Sequence, residues 1–337
     1  MTEAARPRAV ALGGGHGLYS TLTALRRLTD AITAVVTVAD DGGSSGRIRR
    51  ELGLIPPGDL RQAFAALALA ERDGLLDEPG TAGHGPDEHG TRWATVFQHR
   101  FGGSGALAGH AVGNLLLAGL FEVLGDPVAA LDEAARLLRI SGRVLPMCLE
   151  PLDIEAEVAG LAAADGTPRW IRGQVAVAST PGQVQRISLR SASGEVPRAC
   201  PEAVRAVLDA DIVLLGPGSW FTSVLPHLLV PELRAALGQT RATKVVVLNL
   251  IPQPGETAGF SPERHLDVLC EHAPELRVDA VIADTDAVPT PERLRRAAAS
   301  MGAHARLAPI AAHGHVGRHD ADALAASLRE AVHVARS

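Results

Sequence analysis

Short apolar runs alternate along the chain with amphipathic stretches, and most of the runs end in a loop rich in glycine, proline, serine or aspartate. Residues 8–12 form such a run, and leucines spaced three or four apart between Leu18 and Leu28 predict a helix after it. Residues 32–38 are mostly apolar and rich in β-branched side chains, as expected of a strand covered on both faces. Together these segments have the size of one βαβ unit, which predicts an α/β fold with a mostly parallel sheet.

The same succession of run and loop returns three times in the second half of the chain. The apolar runs cover residues 211–215, 245–250 and 278–283, and the loops after them cover residues 216–219, 251–255 and 284–286. In an open parallel sheet such loops gather at the carboxyl edge, where ligands bind at the switch in strand order. We therefore expect a ligand site built from several of these loops.

Two segments depart from this pattern. Residues 172–179 and 183–190 alternate in polarity around Thr180-Pro181-Gly182, which predicts a hairpin at the edge of the sheet. Residues 77–92 are rich in glycine, proline, aspartate and histidine, which indicates a mobile insertion. With no internal repeat or long linker, we predict one domain over residues 6–335. We expect a Rossmann-like three-layer α/β/α sandwich with this edge hairpin and irregular insertion.

Composition then narrows the class of protein. Apolar residues make up 46% and charged residues 21%, which suits a buried core, and aromatics at 3% leave Ala, Val, Leu and Ile to fill it. The formal net charge of -6 disfavours non-specific binding of nucleic acid. Lys244 is the only lysine and has no glycine-rich lead-in, so a P-loop is excluded.

The cysteines, the amino terminus and the apolar runs indicate where in the cell the protein is located. Cys148, Cys200 and Cys270 are far apart and form no CxxC, so neither a disulfide framework nor a thiolate zinc site is indicated. The amino terminus lacks the apolar core of a signal peptide. The longest apolar stretch, residues 115–124, is much shorter than the roughly 20 residues that span a bilayer. We expect a cytoplasmic protein without a membrane span.

Two glycine-rich turns are candidate phosphate sites. The first contains Gly14, Gly15, His16 and Gly17, where glycines let the backbone aim N–H groups inward at a helix start. Its alternative is a tight turn without a ligand, and Leu18 breaks the GxGxxG fingerprint of a nicotinamide-dependent oxidoreductase. The second turn contains Gly216, Gly218 and Ser219. Two such turns at one sheet edge suit a ligand that contains a diphosphate.

A long polar segment follows the second predicted strand. Asp40 and Asp41 are adjacent carboxylates, which repel each other unless a cation or a hydroxyl-bearing ligand shares them. Asp40 could bind a ribose or sugar hydroxyl, and Arg47 a phosphate. The alternative is an Asp-Gly turn in which Asp41 has a capping role.

Four further residues each have a structural and a functional interpretation. Asp59 either caps an apolar helix over residues 60–69 or contacts a ligand, and Arg61 either faces outward from the first turn or compensates a ligand's charge. Asn114 either caps its helix or reads a base edge. His110 is either a structural histidine or the first candidate for a general base or nucleophile, with His16 as the second.

One more polar loop lies at the expected sheet edge, and it contains Gln253 and Glu256. A histidine-rich segment, residues 313–320, could be mistaken for a metal site. Since no second cluster at ligand spacing accompanies it, we interpret it as an ordinary surface or helix-cap segment.

Taken together, the motifs resemble the YvcK-like gluconeogenesis factor family, which is related to CofD, the 2-phospho-L-lactate transferase. The resemblance rests on LGGGHGLYSTLTALR, TVADDGGSSGRIRRELGLIPPGDLRQAFAALA, GHAVGNLLLAGL, RVLPM, GPGSWFTSVLPHLLVP and NLIPQPGETAGFS, between residues 12 and 261. The chain departs from the family at His16, where many members carry threonine or serine, and at Phe260, where tyrosine is common.

The resemblance implies a cytoplasmic binder of UDP-sugars, notably UDP-N-acetylglucosamine, that links carbon metabolism to peptidoglycan precursor supply and cell shape. It implies a nucleotide at Gly14 to Gly17, Asn114 and Gly216 to Ser219. In the CofD relatives the acceptor or metal site would correspond to Asp40 and Asp41.

We therefore expect a UDP-sugar-binding regulator that needs no cofactor and acts on a protein partner in cell-wall precursor metabolism. The sequence is compatible with a monomer or a homo-oligomer. The alternative is an enzyme: a CofD-like Mg²⁺-dependent transferase that moves a phospholactate-type or phosphoenolpyruvate-type group from a guanosine nucleotide, or a nucleotide-sugar phosphohydrolase. Its residues would be Asp40, Asp41 and His110, the two aspartates holding Mg²⁺.

Overall fold

The structure of the chain is a computed structural model that describes residues 6–68, 88–161, 167–191 and 193–336. The strands are β1 (Ala9–Gly13), β2 (Ile32–Val36), β3 (Arg143–Pro146), β4 (Leu152–Ala159), β5 (Arg169–Arg172), β6 (Gln183–Ser191), β7 (Ile212–Leu215), β8 (Thr243–Val247), β9 (Ala280–Asp284) and β10 (His304–Ala308).

The helices that precede β7 are α1 (Gly15–Leu25), α2 (Gly43–Leu52), α3 (Pro57–Ala68), α4 (Glu88–Gln98), α5 (Val112–Leu124), α6 (Pro127–Leu138), α7 (Gln174–Ala178) and α8 (Pro201–Leu208). Those that follow it are α9 (Pro226–Leu229), α10 (Pro231–Gln239), α11 (Pro262–His272), α12 (Pro291–Ser300) and α13 (Ala321–Arg336), and Trp220–Val224 form a π-helical turn.

Seven parallel strands form the central sheet, in the order β10-β9-β8-β7-β1-β2-β3. The chain runs outward from β1 through β2 to β3, then returns to pair β7 with the other side of β1. Because crossovers between parallel strands are right-handed, this reversal places the crossover helices between β7 and β10 on the face opposite α1. Helix α13, which follows β10, returns to the first face and packs against α1. The predicted Rossmann-like three-layer fold is confirmed, and the switch in strand order lies between β1 and β7.

The predicted edge hairpin is wrong. Residues 174–178 form helix α7, and β6 pairs with β4 in a separate antiparallel sheet of order β5-β4-β6. The alternating burial of β4 shows why a second sheet forms, since one of its faces is buried and the other is half exposed. This small sheet is tied to α2 by Arg49, whose guanidinium lies 2.5 Å from Asp153 of β4.

Small aliphatic side chains fill most of the core, as the low aromatic content predicts. Trp220, Phe221, Phe64 and Phe97 are the largest fully buried side chains. Buried residues of both sheets belong to one contiguous cluster, and the assignment of residues 6–335 to a single domain stays a prediction.

The predicted insertion falls largely outside the described residues, which exclude 69–87. Its last part, residues 88–92, forms the start of α4. Among the helices that the structure describes, none combines the length and apolar character needed to cross a bilayer.

Candidate functional site

The two glycine-rich turns meet at the switch point. A Cβ on Gly17 would lie 2.5 Å from Gly218 Cα and closer still to the carbonyl oxygen of Pro217, so the two backbones are in direct contact. Thr21 strengthens the junction by donating its hydroxyl to the carbonyl oxygen of Gly216 at 2.9 Å. Only glycine fits at residue 17 without moving one turn away from the other.

The first turn presents N–H groups to this junction. Helix α1 begins at Gly15, and the N–H groups of its first turn have no intrahelical acceptor. Gly15 donates to the carboxylate of Asp59, while His16 and Gly17 follow it in the same turn. These groups and the positive end of α1 form a site that favours an anion.

The second turn is less open than the sequence suggests. Gly218 donates its N–H to Asn249 Oδ1 at 2.8 Å and accepts from Asn249 Nδ2 at 2.9 Å. The N–H of Gly218 is therefore committed to the protein, and the hydroxyl of Ser219 donates to the buried carboxylate of Glu256. Gly216 contributes its carbonyl oxygen to Thr21 and does not line the pocket.

A pocket of about 300 Å³, which we call the switch-point pocket, opens at this junction. Among the predicted residues it is lined by Gly14, Gly15, His16, Gly17, Asp40, Asp59, Gly218, Ser219 and Gln253. The sequence reasoning missed Thr37, Gln62, Gln174, Thr222 and Ser223, which also line it. Thr37 could have been found because it directly follows β2, at the edge where loops gather.

The carboxylate pair of the pocket is Asp40 with Asp59. Asp59 lies in the first turn of α3 and does not cap it, since the helix begins at Pro57. Burial, then the charge of Asp40, raises the pKa of Asp59 to about 7. Burial likewise raises the pKa of Asp40, whose carboxylate accepts from the N–H of Gly42 at 2.9 Å.

Asp41 and Arg47 turn away from the pocket. Asp41 accepts from the N–H of Val175 at 2.9 Å and so caps α7, a segment 134 residues later in the chain. Arg47 donates to the carbonyl oxygen of Ala108 at 2.8 Å. The capping role predicted as the alternative for Asp41 is found at α7, and neither Asp41 nor Arg47 lines the pocket.

A buried network stands behind the pocket. The Nε of Arg61 donates to Asn114 Oδ1, Asn114 Nδ2 donates to the hydroxyl of Ser44, and that hydroxyl contacts His110 Nδ1, each at 2.9 Å. Arg61 is only 3% exposed, so the expectation that it faces outward is wrong. Burial, then the charge of Arg100, lowers its pKa to about 10. Asn114, Arg61 and His110 do not line the pocket.

Ser45 connects this network to the pocket. Its hydroxyl binds the carboxylate of Asp40 and lies 3.4 Å from Asn114 Nδ2. The network therefore fixes the position of Asp40, and its members act on the site through that carboxylate.

Glu256 also supports the pocket without lining it. It is buried and accepts from the N–H of Phe221 at 3.0 Å and from the hydroxyl of Thr222 at 2.6 Å. Burial raises its pKa. Glu256 thereby holds the π-helical turn that brings Thr222 and Ser223 to the pocket wall.

Two buried polar atoms of the pocket residues have no hydrogen-bond partner among the described residues. They are the hydroxyl oxygen of Thr37 and Oε1 of Gln253. A buried polar atom without a partner costs about 1–3 kcal/mol, so each of these two atoms calls for a partner.

Comparisons with known proteins agree with this geometry. The family described as 2-phospho-L-lactate transferase CofD matches residues 9–327. A Mycobacterium tuberculosis protein named "Putative gluconeogenesis factor" is 58% identical over 95% of this chain and 88% of its own length. The "Gluconeogenesis factor" of Listeria monocytogenes is 35% identical over 86% of this chain and 81% of its own.

A solved structure extends the match to the whole fold. The crystal structure of a UPF0052 family protein from Bacillus halodurans superposes with a TM-score of 0.80 and 31% identity, over 97% of this chain and 100% of that one. The resemblance inferred from the motifs is confirmed. The chain belongs to the CofD family, among the YvcK-like gluconeogenesis factors.

Proposed function

We propose that the chain is a regulatory binding protein for a UDP-sugar such as UDP-N-acetylglucosamine, held in the switch-point pocket. The observation that carries the proposal is the pair of unpartnered polar atoms, on Thr37 and Gln253, beside the amino end of α1. The N–H groups of His16 and Gly17 would bind a phosphate of this ligand. Polar groups dominate the remaining wall, as a sugar requires.

The acidic residues of the pocket would bind the hydroxyl-bearing part of this ligand. Asp40 and Asp59 can accept hydrogen bonds from ribose or sugar hydroxyls. A raised pKa means that a carboxyl in this environment resists carrying a charge, and a neutral carboxyl next to a diphosphate repels it less. From the family resemblance we extend the proposal to regulation of a cytoplasmic partner protein in cell-wall precursor supply.

Calorimetric titration with UDP-N-acetylglucosamine, with and without Mg²⁺, tests the proposal. We expect saturable binding and recovery of intact ligand when the same sample is chromatographed. Consumed ligand, or binding of a guanosine nucleotide with Mg²⁺ and of no UDP-sugar, would contradict it.

A second candidate function has its own observation. Asp40 and Asp59 form a carboxylate pair in the pocket, and Asp59 has a pKa near the value that suits a general base at neutral pH. No group of three or more potential metal ligands occurs among the described side chains. Two carboxylates still fit Mg²⁺, which binds few protein groups and completes its shell with water and substrate phosphates. Bound there, Mg²⁺ would neutralise phosphate charge in a CofD-like transfer or a phosphohydrolase reaction.

Replacing Thr37 with valine separates ligand binding from stability. The change removes a buried hydroxyl that has no partner, so we expect the free energy of unfolding to stay constant or rise by up to about 1 kcal/mol. UDP-sugar affinity should fall by about tenfold, because a hydrogen bond to the ligand is lost. Urea denaturation and calorimetry measure the two effects.

Thr33 provides the matched control, since it lies four residues earlier, on β2, and does not line the pocket. The Thr33→Val variant should bind ligand as the unmodified protein does. Equal affinity in both variants would show that the Thr37 hydroxyl faces no ligand.

A further inference from the structure

A second cavity, of about 370 Å³, lies on the other side of the loop that follows β8. We call it the His265 cavity. Its walls are largely apolar, with Leu250, Pro252, Phe260 and Pro289 among them. Its size and its flat aromatic and proline surfaces suit a small ring system.

His265 supplies an unusual polar group in this apolar wall. Its side chain is buried, at 4% exposure, and its ring meets those of Trp220 and Phe260 edge-on at centroid distances of 5.1 and 5.5 Å. Nδ1 lies 3.1 Å from the carbonyl oxygen of Ser261, one turn earlier. Because a carbonyl oxygen can only accept, the proton is on Nδ1.

The other ring nitrogen is therefore an acceptor. Nε2 of His265 is buried and has no hydrogen-bond partner in the part of the chain that the structure describes. Burial lowers the pKa of His265, which keeps the ring neutral and the lone pair of Nε2 free at neutral pH. A buried acceptor of this kind needs a donor.

His272, on the same helix α11, has hydrogen-bond partners for both of its ring nitrogens. Its Nδ1 lies 2.8 Å from the carbonyl oxygen of Val268, again one turn earlier. Its Nε2, however, accepts from the backbone N–H of Ile187 at 3.4 Å. The fold thus supplies a donor to Nε2 of one histidine of α11 and none to Nε2 of the other, whose residue lines the His265 cavity.

We propose that the His265 cavity binds a flat heterocycle whose ring N–H donates to Nε2 of His265. The walls would cover the faces of the ring, and Nε2 would select rings that carry a donor at the edge. Uracil and guanine have such an N–H once they are attached to a sugar. Adenine has only its exocyclic amino group.

The heterocycle has two possible sources. Asn249 lines the His265 cavity, and its side chain is hydrogen-bonded to Gly218 of the switch-point pocket, so one residue separates the two spaces. The ring is then the base of the nucleotide whose phosphates occupy the switch-point pocket, an assignment that rests on the proposed function. A separate heterocyclic metabolite would use the same chemistry without depending on it.

The test compares His265→Asn with His272→Asn. Asparagine keeps a donor for the helix carbonyl and removes the nitrogen at the Nε2 position. Calorimetry would use UDP-N-acetylglucosamine, uridine, guanosine and inorganic pyrophosphate. We expect His265→Asn to weaken binding of at least one ring-bearing ligand by tenfold or more and to leave pyrophosphate unchanged, while His272→Asn leaves every affinity within twofold of the unmodified protein.

The pattern of losses identifies the source. A loss for the UDP-sugar, with unchanged pyrophosphate, supports the base of the bound nucleotide. A loss for a free nucleoside alone supports a separate ligand, and this outcome stands even if UDP-sugars do not bind at all. Unchanged affinity for all ring-bearing ligands, or no shift of the His265 Nε2 nitrogen resonance when they bind, would overturn the proposal.

Discussion

Replacing Gly17 with alanine is expected to abolish ligand binding at the switch-point pocket and to lower the free energy of unfolding by about 3 kcal/mol. The new methyl group would lie 2.5 Å from Gly218 Cα and nearer still to the carbonyl oxygen of Pro217. Both neighbours are backbone atoms, which cannot rotate aside as a flexible side chain can. The turn after β1 and the turn after β7 would have to separate, which displaces the N–H groups of His16 and Gly17 from the pocket.

Urea denaturation and calorimetry with a UDP-sugar measure the two losses. Gly119 gives a matched control, since it lies inside α5 and a Cβ there would meet nothing within 4 Å. Gly119→Ala should raise the free energy of unfolding by about 0.5–1 kcal/mol, the usual gain in helix propensity. If Gly17→Ala were as stable as Gly119→Ala and bound ligand normally, the backbone contact between the turns would have no role.

Asp59→Asn is expected to stabilise the free protein at pH 8 by on the order of 3 kcal/mol. The pKa of Asp59 is about 7 in the folded chain, against an ordinary value near 4 in the unfolded one. Between these values the folded state holds a proton that the unfolded state has released. Stability therefore falls as pH rises from about 4 to about 7, and the asparagine variant should lack that part of the fall.

The same substitution should lower the affinity of the switch-point pocket for its ligand. If the second candidate function holds, Asp59→Asn also removes the Mg²⁺ dependence of binding or turnover, because one of two carboxylates is gone. Asp41→Asn is the control, since Asp41 contacts α7 and does not line the pocket. Denaturation curves from pH 4 to pH 8 decide the matter. An unchanged pH slope in Asp59→Asn would show that its carboxyl is not buried as described.

Local patterns predicted the central sheet and the glycine turns well, because an apolar run and the glycines that end it are neighbours in sequence. Helix α1, with Leu18, Leu22 and Leu25 on its buried face, follows the predicted spacing. Failures occurred where a distant residue decided the outcome. The alternation of residues 174–178 predicts a strand, but this segment is a helix that Asp41, 134 residues away in sequence, caps.

In the candidate site, too, the predictions failed where a residue distant in sequence decides the structure. Arg61 reads as an exposed residue of a first helical turn, and only Asn114, 53 positions later, explains its burial. The adjacent aspartates Asp40 and Asp41 read as a pair, whereas the pair in the pocket joins Asp40 to Asp59. No sequence spacing reports such partners, because they are set by the order of strands and the packing of helices between them.

The contact between Gly17 and Pro217 also governs when the protein acquires its site during synthesis. The ribosome must add 200 residues after Gly17 before the opposing turn exists, which takes about 10–40 s at ordinary elongation rates. A nascent or prematurely terminated chain that ends before residue 216 lacks the part of the pocket wall formed by Gly218, Ser219, Thr222, Ser223 and Gln253. If the switch-point pocket binds the ligand proposed above, a chain that ends before residue 216 would neither sequester that ligand nor gain stability from it.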